Sequence, residues 1–204
     1  MPDRSESSSA LSPEDARVDQ IADAALRLFA RYGYKRSSMD DIAREAGLAK
    51  ATLYLHFKGK DDVFRAMLDL LGRRVEARCR EVVAVKAPFN ERLQALLETY
   101  CGQIYASFGT GEHLVELKAV MMSIAGPQLQ ALERIFRRFA EELLSQAQAA
   151  EEIAPDRNGI AVEDWVAGLI FATAGAKTGE APSCETYAAR LAGIGRIFAA
   201  AVSA

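Results

Sequence analysis

An all-α fold is expected from three features of this chain. Apolar residues recur at helical rather than alternating spacing, capping residues and glycines punctuate those runs, and two short runs meet across a glycine turn. The expected order is a tail over residues 1–11, a three-helix head with a helix-turn-helix over 12–59, and a larger helical body over 60–204. Together these make about nine helices.

The first helix opens at Ser12, a good N-cap, with Pro13 at its first position and Glu14 and Asp15 in its first turn. Val18, Ile21, Ala22, Ala25, Leu28 and Phe29 form its inward stripe and Gly33 closes it. Ser38 then caps a second helix, and Asp41, three residues on, can return the bond in a shortened capping box. Met39, Ile42, Ala43 and Ala46 face inward, and Gly47 ends the helix because glycine accepts positive φ without a Cβ penalty. The third segment, Lys50 to Phe57, buries Leu53 and Phe57 four residues apart. It leaves Lys50, Thr52, Tyr54 and His56 as outward groups that can reach nucleic acid. A helix-turn-helix places its second helix in the major groove in this way, although the same geometry occurs in structural αα units. A tight link through Lys58 and Gly59 leads into a fourth helix with Val63, Phe64, Met67, Leu68 and Leu71 on its apolar side.

Pro88 starts a fifth helix carrying Leu93, Leu96, Leu97, Tyr100, Ile104 and Phe108, broken at Gly109, Thr110 and Gly111. A sixth runs from about 112 to 124, and Gly126 and Pro127 separate it from a seventh with Leu129, Leu132, Ile135, Phe136, Phe139 and Leu143 on its buried side. Residues 154–159 form a loop, and two last helices span about 162–178 and 183–202. The eighth is apolar nearly all round, and the ninth carries an apolar stripe backed by small residues. A helix apolar on more than one face needs a second burial partner. Trp165, Leu169, Ala172, Tyr187, Leu191, Ile194 and Phe198 are therefore assigned to a homodimer interface, with burial inside one subunit as the alternative.

Charge is unevenly distributed. The chain carries a net −3, yet residues 31–60 hold seven basic against three acidic side chains, while residues 81–204 hold ten against fifteen. A polyanionic partner is thus met by one region rather than by the whole chain. The first eleven residues lack the basic start and apolar run of a signal peptide and are expected to be a disordered tail. No run of about eighteen apolar residues occurs, so no membrane span is expected and a cytoplasmic location is the default. Cys79, Cys101 and Cys184 are odd in number and widely spaced, which suits reduced thiols. With only His56 and His113 present, no metal cluster is readable and no cofactor is expected. No nucleophile elbow, phosphate loop or acid–base pair marks the chain as an enzyme. Two other readings stay open, a helical interaction module that does not bind DNA and a thiol-sensing regulator.

The run from Ala24 to Tyr34 (AALRLFARYGY), Ser38 to Ala43 (SMDDIA), Ala46 to Phe57 (AGLAKATLYLHF) and Lys60 to Phe64 (KDDVF) closely resembles the N-terminal domain of the TetR family of bacterial transcriptional regulators. The resemblance covers about a quarter of the chain. It implies a homodimeric repressor that grips a palindromic, double-stranded DNA operator and lets go when a small molecule fills a pocket in each C-terminal domain. It further implies groove contacts from Lys50 and Thr52, phosphate contacts from Tyr54, His56 and Lys60, and contacts from Ser38 and Arg44 on the preceding helix. Ala49 departs from the pattern, since the family usually places a capping residue there. An effector pocket is expected among Tyr100, Cys101, Tyr105, Phe108, Met121, Met122, Phe136 and Trp165, an apolar lining that favours a largely apolar or aromatic effector over a polyanion.

Overall fold

A computed structural model describes residues 12–108, 112–155, 159–178 and 181–203. The tail expected over 1–11, the break at 109–111 and residues 156–158 of the expected loop lie outside the described residues.

The head is built by α1 (Pro13–Tyr32), α2 (Met39–Glu45) and α3 (Lys50–His56), with the first turns of α4 (Lys60–Ala84) closing its core. Ser12 caps α1 by accepting the Asp15 N–H at 3.0 Å. Gly33 ends it at φ 82°, and the position is doubly restricted. A Cβ there would meet a Glu116 carboxylate oxygen at 2.5 Å and His113 Nδ1 at 2.9 Å. Gly33 therefore lets a helix of the body lie against the α1–α2 turn. Phe29, Tyr34 and Phe64 form an aromatic triad with centroid separations of 5.3, 5.8 and 5.4 Å, which pins α1 and its following turn to α4.

α4 is 25 residues long, about 37 Å at 1.5 Å per residue, and so carries contacts from head to body. Val63, Phe64, Met67, Leu68 and Leu71 are buried as the periodicity predicts, and the helix continues inward through Val75, Cys79 and Val83. The body adds α5 (Phe89–Leu97), a π-helical segment (Glu98–Gly102), α6 (Gln103–Ser107), α7 (Glu112–Ile124), α8 (Gly126–Ala149), α9 (Val162–Gly175) and α10 (Cys184–Ala201). The fifth helix read from sequence is thus one rod with a π turn inside it. Leu132, Phe136, Phe139 and Leu143 of α8 are buried as expected. Arg92, itself buried, donates to Glu152 at 2.6 Å and to Gln146 at 3.1 Å, and Glu152 also accepts the Phe89 N–H at 2.6 Å. These bonds fasten the start of α5 to the end of α8. The chain end is tied in by an antiparallel bridge between Ile153 and Ser203.

The face assigned to a second subunit needs correction. Trp165, Leu169, Tyr187 and Leu191 are buried within the protomer, while Ala172, Ile194 and Phe198 are half-buried. The large side chains of α9 and α10 serve their own core because α10 packs along both α5 and α9. Phe171, 75 % exposed, and Ile197, 67 % exposed, face outward together with small exposed residues such as Ala174, Gly175 and Ala200. Periodicity identifies a doubly apolar helix but does not say which side meets which partner. Among the described residues no helix is long and apolar enough to cross a membrane.

Candidate nucleic-acid interface

The α2–α3 unit takes its shape from local chemistry. Asp41 N–H donates to Ser38 Oγ at 3.2 Å, and the Ser38 N–H donates back to the Asp41 carboxylate at 3.0 Å, completing the reciprocal cap. That bonding, with Arg44 nearby, holds the Asp41 carboxyl below its usual range. Gly47, at φ 67°, turns the chain, and the Leu48 N–H reaches back to the Ala43 carbonyl at 2.8 Å. α3 then begins at Lys50 with no side-chain cap from Ala49. Leu53 and Phe57 bury its inner face, so its other side projects outward.

On that outer side Lys50 and Tyr54 come together. The Lys50 ammonium lies 6.0 Å from the Tyr54 ring centre, and Tyr54 is 46 % exposed. Asp40, from the first turn of α2, joins them through an ion pair of 2.8 Å to Lys50. Its hydrogen bond raises the Lys50 pKa. Thr52 and His56 are half-buried on the same short helix. Ser38 and Arg44 are brought together elsewhere, both bonded to Asp41. Lys60 turns inward. Its ammonium donates to the carbonyls of Tyr34 and Ser37, each at 2.8 Å, and sits 4.2 Å from the Tyr34 ring centre. Burial lowers its pKa.

Asp40 is the residue that sequence reasoning did not place at this site, since beside Asp41 it reads only as one of two first-turn acids of α2. Exposed ion pairs are weak, so a duplex can open this one at small cost. Lysine can donate to guanine O6 or N7 and aspartate can accept from cytosine N4, which makes the freed pair suited to a base edge.

Of the eight residues expected to line a pocket, Tyr100, Cys101 and Tyr105 gather around Tyr187, with Phe136 stacked on Tyr100, while Trp165 lies apart. Tyr100 stacks on Phe136 at 4.7 Å and donates to the Leu132 carbonyl at 2.6 Å. Tyr105 packs on Tyr187 at 4.6 Å and donates to the Pro182 carbonyl at 2.7 Å, near buried Cys101. Trp165 lies apart from them, between Phe89 and Phe198, with its indole N–H donating to the Phe198 carbonyl at 3.0 Å. Phe108 is buried, Met121 is half-buried, and Met122 is 69 % exposed and is withdrawn from the lining. Lys177, distant in sequence from Cys101, joins the residues around Tyr187 with its ammonium 5.5 Å from that ring centre. Burial lowers its pKa, and Lys118 adds to the effect. Burial also pushes the Cys79 thiol up to about 12 and the Cys101 thiol up to about 11, so neither supplies thiolate near neutral pH. Among the described residues no group of three or more His, Cys, Asp or Glu is placed to hold a metal ion.

Residues 21–67 match the family model described as bacterial regulatory proteins, tetR family. The chain is 35% identical over 82 residues to the fatty acid metabolism regulator protein of Bacillus subtilis (strain 168), covering 40% of this chain and 42% of that protein. It is 29% identical over 157 residues, 74% of each chain, to the HTH-type transcriptional repressor KstR2 of Rhodococcus jostii (strain RHA1). The chain spans about two fifths of the length of the first curated relatives it matches. A transcriptional regulator from Cytophaga hutchinsonii superposes with a TM-score of 0.73 at 15% identity, covering 93% of this chain and 100% of that one. The regulator FadR from Bacillus subtilis, solved in complex with stearoyl-CoA, superposes with a TM-score of 0.58 at 21% identity, covering 89% and 97%. Both likenesses extend through the body and show its fold.

Proposed function

We propose, for a chain that belongs to the TetR family of bacterial regulatory proteins, that two copies grip a palindromic DNA operator as a repressor and release it when each body binds a small molecule. The observation that carries the reading is the outward cluster of Lys50 and Tyr54 on a short helix whose opposite side is anchored by Leu53 and Phe57. Lys50 serves as a base contact, Tyr54 and His56 as phosphate contacts, and Thr52 as a groove contact. Ser38 and Arg44 flank them from α2. Lys60 acts differently from its expected role, positioning the head through two internal carbonyls.

Two reader helices must sit about 34–36 Å apart to enter successive major grooves, and the outward apolar face around Phe171 and Ile197 is the surface proposed to set that distance. The effector is proposed to be largely apolar, lodged among the body helices, with Lys177 able to hold one negatively charged end. One relative's structure contains stearoyl-CoA, a ligand of that combined character. Ligand and operator then oppose each other reciprocally, each weakening the other by the same factor.

The test is fluorescence anisotropy of the purified protein on genomic fragments that it selects itself, repeated across salt and with Lys50→Ala and Tyr54→Ala. Tight binding to a palindrome, weakened by either change, is the expected result. Absence of enrichment above non-specific binding defeats the operator reading.

A further inference from the structure

A cavity of about 640 Å³ lies between the head and the body, bounded by Arg31 at the end of α1, Arg36 in the following turn, Arg44 on α2 and His113 on α7. Its size falls in the range of small-molecule sites, roughly 300–1,000 Å³. The two carboxylates in its wall are already committed. Asp41 is bonded to Ser38 and Arg44, and Glu45 accepts from Arg27 at 2.9 Å. Arg31 and Arg36 are different. Arg31 rests its guanidinium 5.1 Å from the Tyr32 ring centre, and among the described residues neither arginine makes an ion pair. Two unneutralised guanidinium forks, beside an Arg44 that Asp41 already pairs, form a site for a multiply charged anion, and the planar fork matches phosphate oxygens two at a time.

We infer that this cavity binds the phosphate group of a small phosphorylated molecule, at a site separate from the effector region of the body. The occupant is taken as a free small molecule rather than a duplex phosphate because the wall, otherwise made by the head, also includes His113 on α7, a helix of the body. The same helix presses on the head nearby, where Glu116 accepts the Lys35 N–H at 2.7 Å. An occupant therefore touches both parts at once and biases their relative pose. Binding of the anion stands apart from the operator reading. Any effect on DNA affinity rests on it.

Isothermal titration of the full chain with sodium pyrophosphate tests the site. One saturable event per chain is expected, weakened at least tenfold in Arg31→Gln/Arg36→Gln and unchanged in Lys58→Gln, which removes an exposed charge outside the cavity wall. The same double variant is then measured on self-selected DNA across salt. If the site serves a free anion, the slope of log affinity against log salt stays at its wild-type value. Absence of saturable pyrophosphate binding, or its survival in the double variant, overturns the inference. So does a slope shallower by about 0.9 per lost contact, since the arginines would then hold DNA phosphates. Wild-type protein that binds pyrophosphate but selects no DNA sequence defeats the operator reading and leaves this site standing.

Discussion

α2 and α3 are equal in length, seven residues each, and lie on either side of one glycine, yet they are held by opposite means. α2 is closed locally, with a reciprocal Ser38–Asp41 cap and two acids in its first turn. α3 has neither a side-chain cap nor an acid in its first turn, and depends on burial of Leu53 and Phe57. Helices this short are unstable alone, so each must borrow stability, one from its end and the other from the core. The difference suits their proposed duties. α2 commits Ser38 and Asp41 to its own end, whereas α3, the proposed reader, holds itself by its apolar side and turns Lys50 and Tyr54 outward.

The largest effect should come from the core anchor. Leu53→Ala is expected to cost about 2–5 kcal/mol by emptying a fully buried site. Thermal unfolding of the full chain reads this directly, and an unchanged midpoint would break the contrast. Lys50→Ala should leave that midpoint in place and weaken binding to the selected sequence on the order of tenfold to a hundredfold, as anisotropy would show. Next comes Ser38→Ala, with an expected loss of about 1 kcal/mol at neutral pH. Its pH dependence has a definite sign. Because the folded Asp41 pKa is depressed, first by its bonds to Ser38, the contribution is present above the unfolded value near 3.8 and is lost as pH falls through the folded one. The gap between wild type and variant in urea titrations should therefore narrow in acid, leaving the part due to the Asp41 N–H bond to Ser38 Oγ. The smallest effect is a gain. Ala49→Ser should add about 0.5 kcal/mol by supplying the missing cap, and a loss instead would mean that α3 begins as it must without one.

What could be read in advance divides along the same line. Ser12, Ser38 with Asp41, Gly47 and Ala49 act within four residues of themselves, and their roles were legible because helix ends are local chemistry. Lys60 was legible as a cation but not as an inward one, since its partners Tyr34 and Ser37 lie more than twenty residues away. Asp40 gained meaning only when folding set it beside Lys50. In the body, the apolar stripes of α9 and α10 were evident, but small side chains and strong hydrophobicity on several faces left their orientation open. The π turn at Glu98–Gly102 carries no residue signature, and of the residues expected around it Trp165 sits apart from the tyrosines. Arg31 and Arg36 were counted as part of a basic region, yet only the approach of His113 from α7 makes them the wall of a cavity.

The inward lysine has a consequence for how the head opens. Lys60 bonds the start of α4 to the α1–α2 turn, Tyr34 donates from that turn to Asp61, and Gln20 donates from α1 to the Ala46 carbonyl at 2.7 Å. α1, the end of α2 and the start of α4 cannot loosen without pulling on one another. In hydrogen exchange, the protected amides of α1, α2 and the first turns of α4 should therefore report one shared opening free energy, as a single cooperative foldon.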